Sequence, residues 1–364
     1  MATEGSSTAL PGTVVWLHSL TTTRLNGQTA LIAADAVARD TAAPGRCKVE
    51  LLAGGDVISV RQSNISLSSP HFCIKEAPDK DGVGVYATQD IAAGTRILSE
   101  PPLLTLPISA TKASFETLIA ALPSTKRAAL FQLHDCSSQP ATAEGIFATN
   151  SFGLGTPGTE AGIFLTTCRL NHSCLPNCSH FWHGHLGART IHASRDVACG
   201  EELTLSYISH HIMEWSDRQA ELEEVYNFTC ACEACRLSGP ARELSDKRRT
   251  AIDSLVDSMN SAFKASRYVE ALQLVEARLR LLEEEGLASP SMLYTAEFDA
   301  YQARTLAQRH AEARVWLERA HMHVVMANGA DSERARRWPE CWLCPANDVW
   351  KLPEPEKRRH RRIV

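Results

Sequence analysis

The sequence predicts an α+β protein, rich in strands through its first two thirds and helical through its last third. Three observations carry that prediction. Up to about residue 107, short apolar stretches are punctuated by Gly, Asn, Asp and Pro corners, the pattern of strands joined by turns. Between Thr111 and His134, and again after Cys235, the apolar spacing lengthens to three and four residues, the period of a helix that buries one face. At 364 residues and 44% hydrophobic content, the chain can bury a substantial core, and its length suggests two or three domains.

In chain order, strands are expected at Thr13 to Leu17, Ala30 to Ala34, Cys47 to Leu52 and Val57 to Arg61. Their corners, Leu25-Asn26-Gly27-Gln28 and Gly54-Gly55-Asp56, supply residues that accept positive φ, so a small antiparallel barrel is predicted. Strands are also expected from His71 to Glu76, across Gly82-Val83-Gly84-Val85-Tyr86-Ala87, and from Ile97 to Glu100. Phe115, Leu118, Ile119, Leu122, Ala129, Leu130 and Leu133 then mark an inserted helical segment. A helix is predicted from Asp217 to Val225. Beyond Cys235, one stripe runs through Ile252, Leu255, Val256, Met259 and Phe263, and a second through Tyr268, Ala271, Leu272, Val275, Leu279 and Leu282. Two more helices are expected around Leu293 to Leu306 and Ala313 to Val325. Glu270-Ala271, Val275 and Glu276 match Glu312-Ala313, Leu317 and Glu318 at a common offset, so the region reads either as tetratricopeptide-like (TPR-like) hairpins with small Ala at the contacts or as an ordinary helical bundle.

Charge and cysteine content bound the function. A net charge of -5 argues against a broad nucleic-acid surface. The N-terminus lacks the basic-then-apolar pattern of a secretory signal and no apolar run approaches a membrane span, so a soluble intracellular protein without membrane partners is expected. In that setting, twelve cysteines point to thiols and metal ligands before disulfides.

The most informative residues are Arg169-Leu170-Asn171-His172-Ser173-Cys174-Leu175-Pro176-Asn177-Cys178, followed by Gly200-Glu201-Glu202-Leu203-Thr204-Leu205-Ser206-Tyr207. Together they resemble the paired signature of the SET domain, the β-rich fold of S-adenosylmethionine-dependent protein-lysine methyltransferases. Gly82, Val83 and Gly84, in Gly-x-Gly-x-x-Ala, are similar to the first SET motif, where absent side chains let backbone approach the cofactor. The resemblance implies that Asn171 and His172 hold the adenosine part of the cofactor and that Cys168 passes its backbone nearby. It also implies that Asn150, in Thr149-Asn150-Ser151-Phe152, contacts the cofactor, with Phe152 lining the lysine channel. Tyr207 is the catalytic candidate: in the family this tyrosine shapes the methyl-transfer channel, orients the amine and contacts the methyl group of the cofactor. Ser206 departs from the Asp that many SET domains carry before it. The Leu25 to Gln28 and Val60 to Ile65 segments resemble the SH3-like barrel of some SET and MYND proteins, either bracing a neighbour or binding a partner.

Cys230, Cys232 and Cys235 place three thiols in six residues, a pattern that calls for zinc and a fourth donor. The resemblance supplies Cys174 as that fourth ligand, closing a structural zinc site characteristic of post-SET segments, with Phe228 near the adenine. Cys341-Trp342-Leu343-Cys344 is a further Cys-x-x-Cys, read as two inert thiols or as metal ligands. Residues 357 to 362 form a basic run, either solvated or a nuclear import signal. Residues 108 to 145 offer only His134 and Cys136 toward a zinc finger, so the MYND finger of the SET and MYND relatives is not expected there.

The division that follows is an SH3-like barrel over 1–68, a SET domain over 69–228 with a helical insert at about 108–145, and a post-SET zinc segment over 229–245. A TPR-like helical domain over 246–345 and a basic tail over 346–364 complete it. The implied reaction is methyl transfer from S-adenosylmethionine to the lysine amine of a protein, histone or non-histone. The expected setting is the nucleus or cytoplasm, with a monomeric chain and a chromatin connection. A small-molecule substrate and a non-catalytic cofactor-binding scaffold are the alternatives.

Overall fold

The computed structural model describes residues 12–33, 45–67, 69–80, 82–155, 158–208 and 212–337. Cys341, Cys344 and the basic tail lie outside the described residues.

Strands β1 (Val14–Leu17), β2 (Thr29–Ile32), β3 (Arg46–Leu51), β4 (Val57–Arg61) and β5 (Ile65–Ser66) form one antiparallel sheet in the order β4-β3-β2-β1-β5. Alternate residues Val15, Leu17, Ala30, Ile32, Val49, Leu51 and Val60 build its core. Gly27, Gly54 and Gly55 take positive φ at the corners where the sequence anticipated them. The predicted closed barrel is not formed, because the sheet is open. A 3-10 turn at Gln62–Asn64 carries the chain from edge strand β4 to the far side of β1, and β5 offers only two residues for pairing.

The central part holds three small sheets: β6 (Phe72–Ala77), β7 (Gly82–Ala87), β8 (Arg96–Glu100) and β9 (Leu104–Pro107) precede the helical insert, and six further strands follow it. The insert contains α1 (Lys112–Ala121), α2 (Ser124–Leu130) and α3 (Ala143–Asn150). Thr111 and Thr142 cap α1 and α3 by accepting from the Ser114 and Gly145 amides. Between α2 and α3, the buried Asp135 gathers the loop by accepting from Ser137, Ser138 and Thr142. Burial would raise that carboxyl, but the hydrogen bonds from Thr142 and Ser137 outweigh it and hold it well below the usual carboxylate range.

After the insert come β10 (Phe152–Leu154), β11 (Glu160–Ile163), β12 (Asn171–His172), β13 (Cys178–His183), β14 (Ala188–Ala193) and β15 (Glu202–Leu205). The strand orders are β10-β11-β9, β12-β15-β7-β6 and β13-β14-β8. Two short elements follow, α4 (Trp215–Tyr226) and α5 (Glu233–Arg236), and then the long α6 (Gly239–Lys264), α7 (Tyr268–Glu284), α8 (Pro290–Leu306) and α9 (His310–Asn328). Consecutive long helices pack on one another, and α9 also lies on β13 and β14. The small residues singled out by the sequence offset sit at these contacts: Ala271 and Ala313 are buried, as are Val275 and Leu317. No helix among the described residues is long and apolar enough to cross a membrane.

Candidate functional site

Three sequence motifs that lie far apart along the chain become neighbours in one sheet. β12 pairs parallel to β15, with Asn171 opposite Thr204 and His172 opposite Leu205. β15 in turn pairs antiparallel to β7, with Glu202 opposite Tyr86 and Leu203 opposite Val85. The Asn171 amide thereby reaches the glycine motif: its Nδ2 donates to the Val83 carbonyl at 3.1 Å and to Glu202 Oε1 at 2.8 Å. Glu202 Oε2 is held by Lys80 at 2.6 Å. Gly84 has no side chain because there is no room for one. A Cβ there would lie 2.7 Å from Glu202 Oε1 and 3.0 Å from Asn171 Nδ2, so any larger residue would displace the pair.

His172 is the next link. Its Nδ1 lies 3.0 Å from the Tyr207 backbone amide, which can only donate. Nδ1 therefore accepts, and in the neutral ring the proton sits on Nε2, 3.3 Å from Cys174 Sγ. One imidazole thus connects the backbone of the candidate catalytic tyrosine to a candidate metal ligand. Around it the rings of Tyr207, Phe228 and Tyr226 cluster, with His172 5.4 Å from Tyr207 and 6.1 Å from Phe228, and Tyr226 5.0 Å from Tyr207. The Tyr207 hydroxyl donates to the Leu170 carbonyl at 2.8 Å. Burial, followed by the neighbouring Cys168 and Tyr226, pushes its pKa well up from the ordinary phenol value, so the group remains a neutral hydroxyl.

Cys174, Cys230, Cys232 and Cys235 come together behind this cluster, with all four sulfurs within 4.8 Å of one another and Cys174 Sγ 3.5 Å from Cys235 Sγ. A tetrahedral zinc with bonds of about 2.3 Å to sulfur spaces its ligands about 3.8 Å apart, so the four thiols fit the ion. Backbone amides support them: Cys174 N–H points at Cys232 Sγ and Cys232 N–H at Cys230 Sγ. Hydrogen bonding to Cys230, Cys232 and Cys235 pushes the Cys174 thiol far up, while the same network pushes Cys232 down. Thiols alone cannot all ionise in so small a volume; a bound cation removes that conflict.

A family profile described as SET domain matches residues 82–208, the stretch that contains all three motifs. Over 264 residues the chain is 29% identical to histone-lysine N-methyltransferase set5 of Schizosaccharomyces pombe, covering 71% of this chain and 79% of that protein. It is 40% identical over 76 residues to human histone-lysine N-methyltransferase SMYD3. Human protein-lysine N-methyltransferase SMYD4 is 31% identical over 181 residues. Residues 82–208 are a SET domain, the domain the chain shares with these lysine methyltransferases. The chain's match covers most of the yeast relative but only 17% of SMYD3 and 22% of SMYD4.

Within this SET domain the remaining predicted residues divide. Phe228 joins the Tyr207 cluster. Asn150, at the end of α3, spends both amide hydrogens on the His134 and Ile146 carbonyls, at 2.7 and 2.8 Å, which leaves its side-chain oxygen to accept. Cys168 Sγ lies 3.1 Å from the Asn150 carbonyl, and burial raises its thiol to about 12, so it ties α3 to the turn before β12. Phe152 packs against Phe164, His180 and the Arg189 guanidinium.

Several residues that hold the site were given no role by motif reading. Glu202 anchors Asn171. The fully buried Glu100 accepts from the Thr166 and Thr167 amides at 2.7 and 2.9 Å, fixing the turn that leads into the signature. Asn177 donates to Glu201 Oε1 and the Glu202 carbonyl, and accepts from the Thr204 amide. Arg218, buried beside Cys235, donates to the Met213 carbonyl. A signal existed only for Glu202 and Asn177, which lie inside the paired signature; Glu100 and Arg218 act by tertiary placement.

Proposed function

We propose that this chain transfers a methyl group from S-adenosylmethionine to the lysine amine of a protein. The observation that carries the proposal is the junction of Asn171 with the Val83 carbonyl beside Gly84, next to His172, whose ring accepts from the Tyr207 amide. Gly82, Val83, Gly84, Asn171 and His172, with Phe228, Asn150 and the Cys168 backbone, are the residues that would hold the cofactor. When bound, it supplies an electrophilic sulfonium methyl.

The chain's own residues would orient the acceptor and keep water out. A lysine amine has an ordinary pKa near 10.4 and attacks only after losing its proton. Tyr207, held neutral and fixed by the Leu170 carbonyl and the His172 ring, offers an immobile hydroxyl oxygen on which an amine can align. Phe152 would line the approach to it. The four cysteines would hold a structural zinc that pins α5 and Phe228 against the signature strand.

The set5, SMYD3 and SMYD4 names support a protein substrate, and the two histone-lysine names support a chromatin-linked, nuclear setting. The N-terminal sheet would serve as an SH3-like module and the helices after Gly239 as TPR-like pairs, each presenting a surface for substrate selection. Domain limits near 68, 228, 245 and 345 accompany this reading.

The test is transfer of labelled methyl from S-adenosylmethionine into cell protein, comparing wild type with Tyr207→Phe. Loss of roughly 10²-fold in transfer with cofactor binding retained is the expected result. Equal labelling by the two would refute the role of Tyr207. Cofactor binding without any labelled protein from wild type would favour a scaffold, and label confined to metabolites a small-molecule enzyme.

A further inference from the structure

A second cluster of metal-type ligands lies where β13 and β14 meet the end of α9. His183 closes β13, His185 stands in the turn that follows, and Asp331 follows the C-terminus of α9. One ligand atom from each lies within 4.8 Å of the other two. His183 is 1% exposed, and its ring makes no well-formed hydrogen bond to any side chain among the described residues, only a looser contact with the Asn328 backbone. A buried imidazole left with at least one unanswered nitrogen is costly, since both would be hydrogen-bonded in water. His185 stacks edge-on against it, with ring centroids 5.4 Å apart.

The backbone is shaped to bring the carboxylate in. Gly329 caps α9 with φ 87°, and a Cβ there would collide with the Arg96 guanidinium and lie 2.9 Å from Asp331 Oδ1 and 3.2 Å from His192 Nε2. Only glycine allows the chain to approach so closely. Arg96 already pairs with both oxygens of Asp331. A carboxylate has about four lone-pair positions, so Asp331 can accept from Arg96 and still ligate an ion, with Arg96 in the supporting role that orients a ligating carboxylate.

We infer that His183, His185 and Asp331 form a second metal site, for a zinc-like divalent transition ion, that staples the SET hairpin to the helical region. Two imidazoles and one carboxylate favour zinc, cobalt or nickel over calcium or magnesium, which prefer all-oxygen sites. Nitrogen and oxygen ligands of a tetrahedral ion lie about 3.4 Å apart, so the exposed His185 turn must close by about an ångström on binding. Arg96, and Arg336 near His185 at 3.5 Å, add positive charge at the rim. The site therefore binds more weakly than four thiolates would, and its ion exchanges more readily.

The test uses the full chain, purified and equilibrated with zinc or cobalt, with metal counted by elemental analysis in wild type, His185→Ala and Asp331→Asn. Both changes are at exposed or half-exposed positions, so the fold is retained and circular dichroism verifies it. Wild type is expected to carry one metal equivalent more than either variant, and cobalt in that extra site should lack the sulfur-to-metal absorption of a thiolate complex. Added zinc should raise the melting temperature of wild type and not of the variants. Equal metal content in all three proteins overturns the site, as does an extra equivalent that shows thiolate absorption. The readout is a difference between variants and needs no methyl transfer, so it stands or falls separately from the proposed activity.

Discussion

The Tyr207 site and the helical region after Gly239 both bury polar groups, but they use them in opposite ways. In the site the buried and half-buried polar groups hold backbone positions: Asn171 holds the Val83 carbonyl, His172 the Tyr207 amide, and Glu100 the Thr166 and Thr167 amides. In the helices a buried charged side chain is answered by another side chain. Arg249, with a fully buried side chain, meets Glu285 at 2.7 Å, and the buried Glu297 takes both Arg319 and His323. The first arrangement fixes where atoms stand; the second fixes which helix packs on which. A site of the first kind can be recognised from a few residues in sequence, whereas a helical stack reveals only its period.

Removing metal from the thiol cluster should break this contrast most severely. Zinc bound by four cysteines contributes folding energy directly, on the order of 10 kcal/mol in small domains. Cys232→Ser is expected to lose the ion, and with it the protection from hydrogen exchange of residues 171–178 and 226–236, while α7 to α9 keep theirs. The two regions would then be separately stabilised. Unchanged exchange around Cys174 in a metal-free Cys232→Ser would refute the structural role of the cluster.

A smaller effect belongs to the helical side. Glu285→Ala leaves the buried Arg249 without its carboxylate and also deprives Ser245 of a partner. Breaking a buried ion pair in this way costs about 3–5 kcal/mol, which chemical denaturation followed by helix signal would register. Zinc content should not change. A loss below about 1 kcal/mol would place this pair among ordinary surface ion pairs and erase the distinction between the two regions.

The same particulars explain what was legible in the sequence. Strands β1 to β4 and helices α6 to α9 follow from alternation and from the three-to-four spacing, because burial of one face is written residue by residue. The site was legible because Asn171, His172, Cys174 and Tyr207 sit within fixed motifs. Glu100 could not be found that way: its partners lie 66 and 67 residues away, and only the pairing of β8 with β14 and the packing beneath it bring them close. Glu285 closes a Glu283-Glu284-Glu285 run at the end of α7, where acidic residues oppose the helix dipole and read as a solvated end. Arg248 and Arg249 from α6 reverse that reading. The open sheet in place of a barrel has a similar origin, since strand spacing cannot say whether the edges meet.

The finest test of the contrast is a titration. Asp299 faces Arg278 at 3.2 Å, and burial raises its carboxyl to about 6 against that neighbour's opposing pull. Its folded pKa thus exceeds the unfolded value, so the folded state takes up the proton first as pH falls. The stabilisation from this protonation is complete below the unfolded pKa near 3.9 and is lost as pH rises through about 6. Relative to Asp299→Asn, wild type should therefore gain stability between pH 7 and pH 4, with little change in the difference above pH 7. With 24% of the side chain still exposed, water screens the group, and the gain should be smaller than the loss caused by Glu285→Ala. Denaturation curves of the two proteins at pH 7, 6, 5 and 4 measure it. A difference that runs the other way, with wild type losing ground as pH falls, would mean that attraction to Arg278 dominates burial, and that this pair fixes position in the manner of the Tyr207 site.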